Sequence, residues 1–127
     1  MTDDSHHADP SPVLDPAQVA DLINLDQGSG ALFGQFVDLF VGSAPDRMER
    51  LGRHAASAEG APLAEAAHAL RGAAGNVGAT RLASLCERIE SAAKAGDLAA
   101  AQEALAALPA VYEETRRALL HAAGRAA

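Results

Sequence analysis

The chain has 127 residues, of which 17 are acidic and 10 are Lys or Arg, so its formal net charge is −7 at pH 7. This charge disfavours nonspecific binding to nucleic acid or to an anionic membrane. The acidic protein would repel negatively charged phosphate groups over the distance at which salt does not fully screen the charges. The single cysteine excludes an intrachain disulfide, and no apolar run reaches the length of a membrane span. Together with an N-terminus that lacks the regions of a signal peptide, these features predict a soluble, cytoplasmic protein with protein partners.

The length suits one domain that buries a core without disulfides. Alanine and leucine are abundant and aromatic residues make up 3% of the chain, so the composition favours helices over sheet. Residues 1–13 are polar and punctuated by proline, and we expect a disordered tail there and a folded domain over 14–127. His6 and His7 in this tail lack the further ligands of a metal site, so none is predicted.

Two helices are predicted in the first half of the domain. Asp15 caps the first, Pro16 occupies its first position, and it ends near Leu25. Ser29 is the predicted cap of the second. Apolar residues recur along that helix every three or four positions, at Phe33, Phe36, Val37, Phe40, Ala44, Met48, Leu51 and Ala55. Because this stripe continues on both sides of Pro45, the proline favours a kink over a division of the helix.

Three more helices complete the predicted fold. The third covers 63–77 and stops at Gly78, a residue suited to a left-handed cap. The fourth covers 80–95, and the last covers 98–122 with a kink at Pro109. Four long amphipathic helices joined by short turns predict an all-α, antiparallel up-down four-helix bundle, with the short first helix covering one end.

Polar and reactive residues of the fourth helix have simple structural interpretations. Cys86 lies on the apolar stripe with Leu82, Leu85 and Ile89, which indicates a buried structural residue. Glu90 and Lys94 are one turn apart in the favourable order, and we interpret them as a solvated ion pair.

The third helix carries an exposed histidine among glycines. Taking Leu70 as the centre of the buried face, His68 lies roughly 160° away, Gly72 about 200° and Gly75 about 140°. Each interior glycine costs a helix about 1 kcal/mol relative to alanine, and core packing does not require these two. We interpret the two glycines as leaving open space through which another protein can reach a nucleophilic imidazole.

Residues 68–79, His-Ala-Leu-Arg-Gly-Ala-Ala-Gly-Asn-Val-Gly-Ala, are followed by Leu82, Leu85-Cys86, Ile89-Glu90 and Gly96-Asp97. This order resembles the histidine-containing phosphotransfer (HPt) domains of bacterial multistep phosphorelays, over roughly residues 14–122. The resemblance implies a stand-alone phospho-carrier, not an enzyme, whose His68 accepts a phosphoryl group on Nε2 from a receiver-domain aspartate, often of a hybrid histidine kinase. The group then passes to the receiver aspartate of a response regulator.

The resemblance also implies roles for the neighbouring residues. Arg71 stands where the family usually has lysine, and we expect it to support the phosphoryl group electrostatically, since no acidic residue lies three or four positions away on its helix. The predicted partner-binding surface consists of Ala64, Glu65, Gly72 and Gly75. No nucleotide-binding loop is present, so the chain is expected to have no cofactor of its own, with Mg²⁺ on the partner receiver domain.

The sequence leaves three alternatives open. The bundle could dock on a receiver or kinase without being phosphorylated, or it could be a plain structural bundle. It could also be the dimerising phospho-acceptor domain of a histidine kinase, although Ala69 occupies the position directly after the histidine where those domains usually place an acidic residue. An HPt protein is expected to be a monomer, whereas the kinase-type domain is a dimer.

Overall fold

The computed structural model of the protein describes residues 11–125. In this range the regular structure is helical throughout, as the composition predicts. The helices are α1 (Pro16–Ile23), α2 (Ala31–Ala56), α3 (Gly60–Asn76), α4 (Thr80–Lys94), α5 (Leu98–Leu105) and α6 (Leu108–Ala122), and a 3-10 turn covers Asn24–Asp26. The all-α fold class is confirmed. Residues 1–10 of the tail predicted over 1–13, with His6 and His7, lie outside the described residues.

Helix α3 packs against α2 and α4, while α4 also contacts α5 and α6, and α1 packs against α2. The helices bury the apolar stripes predicted from the sequence. The largest fully buried side chains are Phe33, Leu51, Leu63, Leu70, Leu82, Ile89, Leu119, Val37, Thr115 and Cys86. None of the helices within residues 11–125 is both long enough and apolar enough to cross a membrane.

The turn between α3 and α4 has the geometry expected of a glycine cap. Gly78 has φ +77°, a left-handed conformation that glycine adopts without steric cost. The Ala79 amide donates to the Ala74 carbonyl at 2.9 Å and the Gly78 amide to the Gly75 carbonyl at 3.2 Å, which together form a Schellman motif. The predicted end of the third helix is confirmed.

Helix α1 is tied to this same turn. Asp15 caps α1 by accepting hydrogen bonds from the amides of Ala17 and Gln18, as predicted. The Asp15 amide donates to the Gly78 carbonyl at 2.9 Å, and the Gln18 side-chain amide donates to the Gly75 carbonyl at 2.6 Å. The short first helix therefore holds the C-terminal end of α3 in place.

The start of α2 differs from the prediction. Gly30, with φ +75°, occupies the N-cap position that Ser29 was expected to fill. The Ser29 hydroxyl still accepts from the Ala31 amide at 3.2 Å, but the Asp26 carboxylate accepts from the amides of Gly30 and Leu32. An ionised carboxylate is the stronger acceptor for amides at a helix start, so the upstream aspartate does most of the capping.

The two internal prolines behave differently. Helix α2 continues through Pro45, so the expectation of an undivided helix is confirmed. The expectation of a kinked but continuous last helix is wrong, since the helix ends at Leu105 and restarts at Leu108. Pro109 cannot donate to the Leu105 carbonyl and its ring collides with that group, so the chain begins a new helix with Pro109 in its first turn.

Candidate functional site

His68 lies in the middle of α3 and points away from the core. The inward face of α3 carries Leu63, Ala67, Leu70 and Ala74, all of them buried. The helical period places His68 on the opposite side, and its side chain is 65% exposed. The predicted exposure of this imidazole is confirmed.

A carboxylate from α4 lies beneath the imidazole. Glu90 Oε2 is 3.2 Å from His68 Nδ1, although the Glu90 side chain is only 7% exposed. Lys94, one turn later on α4, places Nζ 2.9 Å from the same oxygen. A buried carboxylate needs such partners because desolvation of an unpaired charge is costly.

The cations around Glu90 keep it ionised. Burial alone would raise the pKa of Glu90, but the hydrogen bond from Lys94 and the positive charge of Arg71 outweigh it, so that this pKa is lowered below its ordinary value. At neutral pH the imidazole therefore lies against a negative charge.

Arg71 is the second side chain that contacts the histidine ring. Its Nη2 lies 2.9 Å from His68 Nδ1, and its Nε lies 3.2 Å from Glu90 Oε1. The carboxylate of Glu87 is 3.9 Å from Nη1 of the same guanidinium. Arg71 therefore has acidic partners across the α3–α4 interface, although its own helix offers none.

The interpretation of Glu90 and Lys94 as a solvated pair is wrong for the carboxylate. The pair exists, but Glu90 is buried whereas the Lys94 side chain is 67% exposed. Glu90 follows buried Cys86 by four residues, so it lies at the edge of the stripe that packs on α3. An acidic residue beside the apolar stripe of α4 is unusual, and from this feature of the sequence Glu90 could have been predicted to contact the histidine.

A groove of about 680 Å³ adjoins the imidazole between α3 and α4. It is lined by Ala61, Ala64, Glu65, His68, Ala69, Glu90, Ala93 and Lys94. Two residues of the predicted partner-binding surface lie here: Glu65 is exposed, whereas Ala64 is 6% exposed and forms part of the groove wall. The small alanine side chains leave open space beside the histidine.

Gly72 and Gly75 are both exposed on α3, and a Cβ built on either would meet no atom within 4 Å. Packing within the described residues therefore does not require glycine at either position. The same is true of Gly42 and Gly52 in α2, so open space beside a helical glycine is not confined to the neighbourhood of His68.

Other reactive side chains lie apart from this site or are inert. Burial raises the pKa of the Cys86 thiol to about 12, so it stays protonated at neutral pH, in agreement with a structural role. His54 lies in the last turn of α2 and contacts Glu59 at 3.1 Å, and His121 lies in the last turn of α6. No group of three or more potential metal ligands is present within residues 11–125.

Comparison with known proteins identifies the family. The family model of the Hpt domain matches residues 35–118, a span that contains His68, Arg71 and Glu90. The crystal structure of histidine-containing phosphotransfer protein B (HptB) from Pseudomonas aeruginosa PAO1 has a similar fold, with a TM-score of 0.81 and 23% sequence identity over 92% of this chain and 99% of that chain. No curated protein sequence matches the chain. Because the family model covers more than half of the sequence, the chain belongs to the Hpt domain family, the histidine-containing phosphotransfer domains of phosphorelays.

Proposed function

We propose that His68 is the phospho-acceptor of this protein. It takes a phosphoryl group from the aspartyl phosphate of one receiver domain and gives it to the aspartate of another. The observation that carries the proposal is an exposed imidazole whose Nδ1 lies against the buried carboxylate of Glu90, which leaves Nε2 for the reaction. The Nε2 lone pair forms the N–P bond while the P–O bond to the aspartyl carboxylate breaks, and the carboxylate leaves with the electron pair.

The residues around His68 support this exchange by charge and by shape. The Arg71 guanidinium is within reach of the ring and is suited to stabilise negative charge on the incoming phosphoryl oxygens. Gly72 and Gly75 leave the approach over α3 free of side chains. The alanine-rich groove, which exposed Glu65 also lines, provides the surface against which a receiver domain docks.

We infer that the chain is a stoichiometric carrier that depends on its partner for catalytic assistance. Phosphoryl transfer is accelerated mainly by positioning and by cations around the transferred group. The chain contributes one nucleophile and one guanidinium at the site, and the Mg²⁺ is proposed to belong to the receiver. No cofactor of its own is proposed.

We further infer an antiparallel up-down bundle formed by α2, α3, α4 and the α5–α6 pair. Successive helices are joined by three residues at 57–59, 77–79 and 95–97, and each packs against the next. Connections this short favour antiparallel neighbours. A cytoplasmic monomer is the state proposed for such a carrier.

The test is transfer of label from phosphorylated receiver domains to purified protein. Wild type, His68→Gln and His121→Gln are incubated with a panel of 32P-labelled receivers, and acid-labile, base-stable label is followed on the chain. We expect label on wild type and on His121→Gln, whose altered histidine is exposed near the end of α6, and none on His68→Gln. Label that persists in His68→Gln would contradict the assignment.

The same experiment distinguishes the alternatives. Binding of a receiver by wild type without any label on the chain would favour a docking module. Sedimentation of the unphosphorylated protein separates the proposed monomer from a kinase-type dimer.

A further inference from the structure

The last residue that the structure describes, Arg125, returns to the first long helix of the bundle. Helix α6 ends at Ala122, and the chain turns behind it at Gly124, which has φ +73°. The Arg125 amide donates to the Leu120 carbonyl at 2.7 Å and the Gly124 amide to the His121 carbonyl at 3.0 Å, and these two hydrogen bonds form a Schellman motif. The backbone of Arg125 is therefore held in place independently of its side chain.

The Arg125 guanidinium donates from all three of its nitrogens. Nε donates to Oδ1 of Asp38 on α2 at 3.3 Å, and Nη2 donates to Oδ2 of the same carboxylate at 3.0 Å. Nη1 donates to the Ala123 carbonyl, just beyond the end of α6, at 3.2 Å. A planar guanidinium can make this two-point contact with a carboxylate, whereas the single ammonium of a lysine cannot. The side chain thereby connects α6 to α2, two helices that otherwise share few contacts.

The ion pair does not account for the whole of this arrangement. The Arg125 and Asp38 side chains are 40% and 54% exposed, and ion pairs as exposed as this one stabilise proteins little. The unusual feature is Gly34, one turn before Asp38 on α2, which is buried. A Cβ built on Gly34 would lie 2.6 Å from Nη2 and 3.0 Å from Nη1 of Arg125. The guanidinium thus occupies the space that a side chain at position 34 would fill.

The backbone of α2 gives no other reason for a glycine at this position. Gly34 is helical and is not among the described residues with positive φ, so alanine would fit its backbone conformation and would favour the helix. The other two glycines of α2 differ from it, because a Cβ at Gly42 or at Gly52 would meet nothing within 4 Å. Contact with Arg125 is therefore what distinguishes Gly34 from the other glycines of its helix.

We propose that Gly34 is the seat of a C-terminal strap, in which the Arg125 guanidinium lies on the bare backbone of α2 and, held there by Asp38, closes α6 against the start of α2. This conformational device does not rest on the function proposed above. An alanine at position 34 displaces the guanidinium and not the helix, because the arginine is flexible whereas Phe33 and Val37 on α2 are fully buried. The contacts of Arg125 with Gly34 and with Asp38 are consequently lost together.

A double-mutant cycle tests this coupling through the urea midpoints of wild type, Gly34→Ala, Arg125→Ala and the double variant. In the absence of the arginine, Gly34→Ala should raise the midpoint, since alanine favours the helix. In its presence the rise should be about half as large or less, because the new methyl group removes the strap. Gly42→Ala is the matched control on the same helix, and we expect it to raise the midpoint equally with and without Arg125.

A second measurement follows the strap directly, as exchange of the Arg125 Nε–H with water by NMR. We expect this exchange to be about threefold faster or more in Gly34→Ala than in wild type, the scale of losing one hydrogen bond. Asp38→Ala should have the same effect, because it removes the acceptor of that hydrogen bond, and Gly42→Ala should have none.

Two results would overturn the proposal. Equal rises in the urea midpoint from Gly34→Ala with and without Arg125 would show that the guanidinium and the glycine are not coupled. Exchange of the Nε–H as slow in Gly34→Ala as in wild type, or as fast in wild type as in Asp38→Ala, would show that Arg125 does not form the strap.

Discussion

Glu87 and Glu90 are one turn apart on α4, yet their side chains are 65% and 7% exposed. A carboxylate as exposed as that of Glu87 is screened by water and contributes little to the field at the ring. Glu90 has lost most of its hydration, and its charge is balanced by Arg71 and Lys94 at close range. The difference between these two residues makes one of them part of the site and leaves the other on the surface.

A single substitution at Gly72 tests both the stability of α3 and access to His68. Gly72→Ala adds a Cβ that meets nothing within 4 Å, so the substitution should stabilise the protein by about 0.5–1 kcal/mol through the higher helix propensity of alanine. Under the proposed function the same methyl group would stand in the path of a receiver domain towards His68, and it should slow phosphotransfer. Urea unfolding and label transfer measure the two effects.

Gly52→Ala is the matched control for this substitution. Gly52 also lies in a helix with open space around its Cβ position, but on α2 and away from the groove beside His68. We expect the same gain in stability with unchanged transfer. A Gly72→Ala protein that is both more stable and fully active would show that clearance for a partner does not explain the glycine.

The helices of this fold begin and end at residues that satisfy the free backbone amides and carbonyls of the helix ends. The third and fourth helices end at the left-handed glycines Gly78 and Gly96, and α5 starts at the side-chain cap of Asp97. The Gly78 turn has an additional task, because its carbonyl accepts the Asp15 amide and so joins α1 to the helix that carries His68.

Replacing Gly78 and Gly96 in turn should separate the cost of backbone strain from the cost of disturbing the contact with α1. Gly78 and Gly96 share φ +77°, so an alanine at either position costs roughly 1–2 kcal/mol of backbone strain. A Cβ at Gly78 would also lie 3.1 Å from Cγ2 of Val19 on α1, whereas one at Gly96 meets nothing within 4 Å. We expect Gly78→Ala to lower the free energy of unfolding more than Gly96→Ala does, as measured by urea denaturation. Equal losses of unfolding free energy would mean that α1 shifts to accommodate the new methyl group without destabilising the protein.

Across the molecule, several carboxylates of this acidic chain pair with a small number of arginines. Arg116 and Arg117 both donate to Glu113, and Arg125 near the C-terminus donates to Asp38 on α2. The hydrogen bonds from the two arginines hold the pKa of Glu113 at about 2. The pKa values of Asp26 and Asp38 are also lowered, chiefly by side-chain hydrogen bonds from Ser29 and Arg125 respectively.

These shifts predict the acid response of the fold. A carboxyl group whose pKa is lower in the folded state than in the unfolded state stabilises the fold above its unfolded pKa, and this contribution is lost as the pH falls through the folded pKa. The ordinary values are 4.5 for glutamate and 3.8 for aspartate, so stability should begin to fall below about pH 5 and continue to fall towards pH 2.

Thermal unfolding between pH 6 and pH 2 measures this response. Glu113→Gln should make the loss of stability below about pH 4.5 less steep, because the variant has no charge to lose at that position. A pH profile identical to that of wild type would show that the arginine pairs of Glu113 persist in the unfolded chain or do not stabilise the fold.

Local rules determined much of this protein from its sequence. Helical periodicity placed the stripes of α2, α3 and α4 and put His68 on the exposed side, and cap residues such as Asp15 and Gly78 marked helix ends, because these depend on residues within a few positions of one another. The order of residues 68–79 indicated the family for the same reason. The break before Pro109 was not predictable from the stripe alone, since the stripe continues across it.

Only the tertiary structure decided what surrounds the histidine. Glu90 is 22 residues from His68 along the chain, and its carboxylate meets the imidazole because α3 and α4 pack side by side. That packing also removes Glu90 from water and pairs Arg71, which has no acidic neighbour on its own helix, with a partner across the interface. Burial and contact between helices depend on the position of the whole chain, so the candidate histidine could be recognised from the sequence while the groups that contact its ring could not.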